Sequence, residues 1–145
     1  MEKVVKIILA EDDENHALLI RRNLARIGVD NHVLHFGNGE EVLRFFLSQV
    51  EVPQKDFCRC ILILDLKMPR VDGMEVLETL KSHPVLKKVP VVVFSTTDNK
   101  NEIEECYRLG CSGYIVKPIS YEQFTDVVSR LGLFLKSVTV PENTC

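Results

Sequence analysis

Four polar groups, each standing at the end of an apolar run, are the side chains best suited to chemistry. Glu11-Asp12-Asp13 closes Val4 to Ala10, and Asp65 closes Ile61-Leu62-Ile63-Leu64. Ser95-Thr96-Thr97 closes Val91-Val92-Val93-Phe94, and Lys117-Pro118 closes Tyr114-Ile115-Val116. One such ending is ordinary chain punctuation; four of complementary type form a constellation. Carboxylates brought together repel one another, which raises a pKa or calls for a cation. A few carboxylates plus waters suit a hard ion, Mg²⁺ above all. A Ser95 hydroxyl and a Lys117 ammonium nearby would be donors aimed at an anion such as a phosphoryl group. A carboxylate in that setting can act as nucleophile and form an aspartyl phosphate. The residues alone point to a Mg²⁺-assisted phosphoryl site with Asp65 or Asp12 as acceptor.

These groups meet only if the apolar runs are neighbouring strands. The runs Val4–Ala10, Asn31–His35, Cys60–Leu64, Val91–Phe94 and Gly113–Val116 read as strands, four of them nearly continuous and so covered on both faces. Helical patterns fill the gaps at about 15–27, 39–49, 73–82, 99–109 and 120–137. Gly28, Gly37-Asn38-Gly39, Asp72-Gly73 and Gly110 punctuate them. Strands alternating with helices predict a parallel, doubly wound sheet, with ligands bound beyond the carboxyl ends of its strands. Ser48 to Phe57 reads as a long loop and Pro141 to Cys145 as a tail.

The 145 residues support one domain, with its core at about 4–130 and a long last helix and tail at about 131–145. A formal net charge of −3 offers no footprint for nucleic acid. No apolar stretch approaches the roughly 18 residues of a membrane span. The first apolar run is too short and too acidic for a secretory signal, so a cytoplasmic protein is expected. Cys58, Cys60, Cys106, Cys111 and Cys145 contain no C-x-x-C pair, which argues against zinc and for plain thiols in a reducing compartment. His32 and His35 lie three apart in a strand-like run and would point to opposite faces, not to one metal.

In order along the chain, Ile8-Leu9-Ala10-Glu11-Asp12-Asp13, Leu64-Asp65-Leu66-Lys67-Met68-Pro69 with Asp72-Gly73, Pro90 to Ser95, and Leu109 to Pro118 make up a specific set of motifs. With 30 residues from Asp65 to Ser95 and 52 from Asp65 to Lys117, the chain resembles the response-regulator receiver domains of two-component signalling. The resemblance implies a flavodoxin-like α/β fold, five parallel strands in the order 2-1-3-4-5 with five helices. It implies that Asp65 accepts a phosphoryl group from the histidine of a sensor kinase or phosphotransfer protein. Mg²⁺ would take Asp12 and Asp65 directly, Glu11 through water, and the backbone carbonyl of Lys67. Ser95 would bond a phosphoryl oxygen, Lys117 would neutralise its charge, and Tyr114 would be the aromatic switch. Pro118 would follow a cis bond, and Thr96, which could exchange roles with Ser95 on a one-residue slip, is bulkier than the family's usual neighbour. Asp13 reads as a helix cap. Such a domain signals to a downstream protein and is not a turnover enzyme.

No basic or helix-turn-helix segment follows, so the chain reads as a stand-alone receiver. The 48–57 loop, His83 to Pro90 and Phe134 to Pro141 resemble the receivers that work with bacterial phytochromes. A haloacid-dehalogenase-type phosphatase would want a second Asp where Lys67 stands, and a flavodoxin-type carrier a phosphate loop where the acids stand. A pseudo-receiver that binds partners without phosphorylation is the competing function. On the last helix, Phe124, Val127, Val128, Leu131, Phe134, Leu135 and Val138 form one apolar stripe at about 100° per residue, and Leu133 faces outward. An outward leucine beside an overhanging end predicts a homodimer through this helix.

Overall fold

The computed structural model describes residues 5–29, 32–51 and 59–141. Strands β1 (Lys6–Ala10), β2 (Val33–Phe36), β3 (Cys60–Leu64), β4 (Val91–Ser95) and β5 (Gly113–Val116) alternate with helices α1 (Glu14–Arg26), α2 (Gly39–Glu51), α3 (Gly73–Ser82), α4 (Lys100–Leu109) and α5 (Tyr121–Ser137). All pairings are parallel, in the order β2-β1-β3-β4-β5. Side chains alternate across the sheet because a strand has period two. Ile8, Leu62, Leu64, Val91 and Val93 pack with α2, α3 and α4, whereas Ile7, Leu9, Ile61, Ile63, Val92 and Phe94 pack with α1 and α5. Every residue of β3 and β4 is buried, and each large side chain so placed contributes roughly 1.5–3 kcal/mol. No helix among the described residues is long and apolar enough to cross a membrane.

Helix starts are fixed by short polar side chains. Asp13 accepts from the amides of Asn15 and His16, Asp72 from Glu75, Asn99 from Glu102 and Ser120 from Gln123. These caps orient the first turns of α1, α3, α4 and α5 at the carboxyl edge of the sheet. Two glycines bring backbone against backbone there. A Cβ on Gly39 would lie 1.9 Å from the Val71 carbonyl oxygen, and one on Gly73 would lie 2.2 Å from that of Asp65.

The structure departs from the sequence reading at five places. Helix α2 continues to Glu51, so Ser48 to Glu51 are helical, with Phe45, Phe46 and Val50 at its contact with the core; the remainder of the 48–57 loop lies outside the described residues. Strand β2 begins at Val33, and Asn31 also lies outside them. A short 3₁₀ turn at Leu86–Lys88 precedes β4, and the Lys81 ammonium donates to the Lys87 and Val89 carbonyls beside it. The Lys117–Pro118 bond is trans, the ordinary form of an X–Pro bond. Phe134 is 51 % exposed and not part of the core stripe, because α5 turns Gly132 onto Leu24 of α1 and Ile27 just beyond it and carries Phe134 toward the β5 edge. Val140, beyond α5, is buried, and its carbonyl accepts from Arg59.

Candidate functional site

Strands β1, β3 and β5 each hand the residue just past their end to the same edge of the sheet, where Ser95 closes β4. The Glu11 amide still bonds the Phe36 carbonyl (3.0 Å), Asp65 that of Ala10 (2.9 Å) and Lys117 that of Ser95 (2.7 Å). The sheet ladder therefore sets the backbone under three of the charged side chains. The carboxylates of Glu11, Asp12 and Asp65 come within 4.8 Å of one another, Glu11 and Asp65 buried and Asp12 exposed. His35 Nε2 lies 2.8 Å from the Glu11 carbonyl oxygen and ties β2 to the same corner.

Lys117 reaches this cluster from the far side. Its Nζ donates to Glu11 Oε1 and, at 3.3 Å, to Asp65 Oδ2, and the lysine and glutamate side chains are each 1 % exposed. The other Asp65 oxygen, Oδ1, accepts from the Lys67 amide at 3.3 Å, so the β3–α3 turn folds around the carboxylate. Glu11 Oε2 accepts from the Asp13 amide. Burial, then the hydrogen bond shared with Asp65, push the Glu11 carboxyl up to about 8, against the pull of Lys117. Three acids facing one buried cation are short of positive charge. Their oxygen donor set, partly open at Asp12, fits a hard divalent ion.

Ser95 is fully buried at the end of β4, and its Oγ accepts from the Thr97 amide at 3.4 Å. Tyr114, on the adjacent strand, donates its hydroxyl to the Thr97 carbonyl at 2.7 Å. Burial raises the phenol to about 12, so it stays a donor. The ring already lies over the loop after Ser95, whereas Thr96 is exposed. The Tyr107 hydroxyl accepts from the Tyr114 amide on the open β5 edge.

Glu11, Asp12, Asp65 and Lys117 thus form one cluster, with the Lys67 amide on it and Ser95 and Tyr114 coupled one strand away. Two participants, His16 and Glu102, are absent from the sequence reading. His16 lies 3.0 Å from Lys117 Nζ, and the Thr97 hydroxyl, two residues past Ser95, donates to Glu102 in the first turn of α4. Their signal was positional: His16 is three residues past the Asp13 cap and Glu102 three past the Asn99 cap, so both face the sheet edge. Cys60, Cys106 and Cys111 are buried, and burial raises each thiol.

The family model described as "response regulator receiver domain" matches residues 7–129. Response regulator Rcp1 of Synechocystis is 31 % identical over 136 residues, 93 % of this chain and 92 % of its own. A structure of Rcp1 described as its Mn²⁺-bound form superposes with a TM-score of 0.83, at 29 % identity over 94 % of this chain and 98 % of that one. A response regulator receiver domain from Rhodospirillum rubrum gives 0.87 at 37 % identity, covering 97 % and 99 %. The phosphorylated cyanobacterial phytochrome response regulator RcpA gives 0.82 at 34 % identity, covering 94 % and 98 %.

Proposed function

Because the chain belongs to the response regulator receiver family, the signalling modules of two-component systems, we propose that it takes a phosphoryl group on Asp65. The donor is the phosphohistidine of a cytoplasmic sensor kinase or phosphotransfer protein, and the likeness to RcpA favours a phytochrome-type kinase. The observation that carries the reading is the buried Lys117 ammonium bridging Glu11 and Asp65, with Asp12 beside them.

An Asp65 oxygen attacks phosphorus, its O–P bond forming as the N–P bond to the donor imidazole breaks. Bound by Asp12, Asp65 and the Lys67 carbonyl, with Glu11 behind a water, Mg²⁺ would supply divalent counter-charge to the phosphoryl oxygens. Lys117 stays close enough to turn an N–H to one of those oxygens. Ser95 leaves the Thr97 amide for another, and Thr97 carries the change to the Tyr114 hydroxyl bonded to its carbonyl. A homodimer through α5 is the assembly we infer, since the successive residues Leu133 and Phe134 of that helix are 57 % and 51 % exposed.

A phytochrome-type kinase domain carrying labelled phosphohistidine should pass its label to this chain when Mg²⁺ is present and keep it when Mg²⁺ is chelated. Label that never leaves the histidine of any donor, with the chain folded and Mg²⁺ present, would overturn the reading.

A further inference from the structure

The Lys117 ammonium has three hydrogens and three acceptors: Glu11 Oε1, Asp65 Oδ2 at 3.3 Å and His16 Nδ1 at 3.0 Å. An ammonium has no lone pair, so Nδ1 must accept and the imidazole carries its proton on Nε2. Nothing in the phosphoryl chemistry above uses this contact, yet the ring is held for it from two elements. The Asp13 cap fixes the His16 amide at 3.1 Å, and the ring lies against Phe124 of α5, centroids 5.0 Å apart. Phe124 packs on Phe94, whose ring sits 5.6 Å from Lys117 Nζ. The His16 side chain is 29 % exposed and that of Lys117 only 1 %, so the imidazole stands between the ammonium and solvent. Burial and the adjacent ammonium hold His16 below its usual pKa, which favours the neutral, accepting form.

The three N–H bonds of an ammonium are tetrahedral. Two of them fixed at the nitrogen leave a single direction for the third. Glu11 and His16 make the close contacts, and the longer one to Asp65 is the one a phosphoryl oxygen would take over. We propose that His16 is a positioning residue for phosphoryl transfer: with Glu11 it fixes two N–H directions of Lys117 and aims the third at the oxygens arriving on Asp65. Such pre-aimed donors lower a barrier because nothing need reorient as charge arrives. The inference rests on Asp65 being the acceptor.

The test compares rates of phosphorylation by acetyl phosphate at saturating Mg²⁺ in wild type, His16→Leu and His16→Asn. Leucine keeps an apolar contact with Phe124 without an acceptor, whereas asparagine offers an oxygen at the place of Nδ1. The expected result is a roughly tenfold slower His16→Leu, the scale of one hydrogen bond to a charged group, and His16→Asn within about twofold of wild type. His16→Leu at the wild-type rate, or His16→Asn as slow as His16→Leu, overturns the aiming role. Nitrogen-15 spectra of the wild-type imidazole should show Nδ1 without a proton, and a protonated Nδ1 overturns the contact whatever the variants do. A wild type that takes up no phosphoryl group overturns the reading of Asp65 and the aiming role with it. A normally phosphorylated wild type beside an indifferent His16→Leu removes the aiming role alone.

Discussion

Replacing Gly73 by alanine tests whether the fold positions the site through backbone contact. Gly73 opens α3, and its amide donates to the Leu66 carbonyl at 2.7 Å. An added Cβ would lie 2.2 Å from the Asp65 carbonyl oxygen and 2.6 Å from Leu66 Cα, both backbone atoms that no rotamer change can move aside. An ordinary carbon–oxygen contact is about 3.3 Å, so α3 and the β3–α3 turn must part by about 1 Å. That shift stretches the Gly73–Leu66 bond beyond hydrogen-bonding range. Overpacking costs about 1–3 kcal/mol and the lost bond about 1 kcal/mol, against at most about 1 kcal/mol gained in helix propensity. The net loss of about 1–3 kcal/mol should appear in urea unfolding and as a melting midpoint roughly 3–10 °C lower. The same shift moves Asp65 and the Lys67 backbone, and misplacement on this scale can cost up to about 100-fold in rate. Phosphorylation of Gly73→Ala by acetyl phosphate should therefore slow markedly. Wild-type stability together with wild-type phosphorylation would refute the idea that this close approach sets the site.

Asp12→Ala should weaken Mg²⁺ binding more than Glu11→Gln in calorimetry, and equal affinity in wild type and Asp12→Ala would put the site elsewhere. Because the Glu11 carboxyl is pushed up to about 8, metal binding must displace its proton. Mg²⁺ affinity should then fall as pH drops below 8, with a shallower slope in Glu11→Gln; identical slopes would remove Glu11 from the linkage. Beryllofluoride, standing in for the phosphoryl group, should draw Ser95 from the Thr97 amide and shift Thr97 and Tyr114, since a ligand moves an equilibrium by its differential affinity. Superimposable loops after Ser95, with and without it, would break that coupling. Sedimentation should show a wild-type dimer weakened in Leu133→Glu, and a monomeric wild type at micromolar concentrations would remove the dimer.

The parallel sheet was legible because β1, β3 and β4 are buried on both faces over most of their length and therefore read as nearly continuous apolar runs ended by polar residues. The four cluster residues were legible for the same reason: Glu11, Asp65 and Lys117 stand one place past a strand whose end the hydropathy fixes, and Asp12 two places past. Phe134 was not, because a helical wheel counts apolar residues and cannot see that Gly132 turns the helix toward Ile27. The extension of α2 to Glu51 was hidden by Ser48, a weak helix former whose hydroxyl here bonds back to the Phe45 carbonyl. His16 was hidden because its role needs Lys117, 101 residues away, and only the closed sheet brings the two together.

The central claim is that Asp65 is the phosphoryl acceptor. Intact-mass measurement after incubation with acetyl phosphate and Mg²⁺ tests it most directly, with wild type and Asp65→Asn side by side. The account predicts one added phosphoryl group on wild type and none on Asp65→Asn. An unmodified wild type, or an Asp65→Asn chain that gains the same mass, would contradict it.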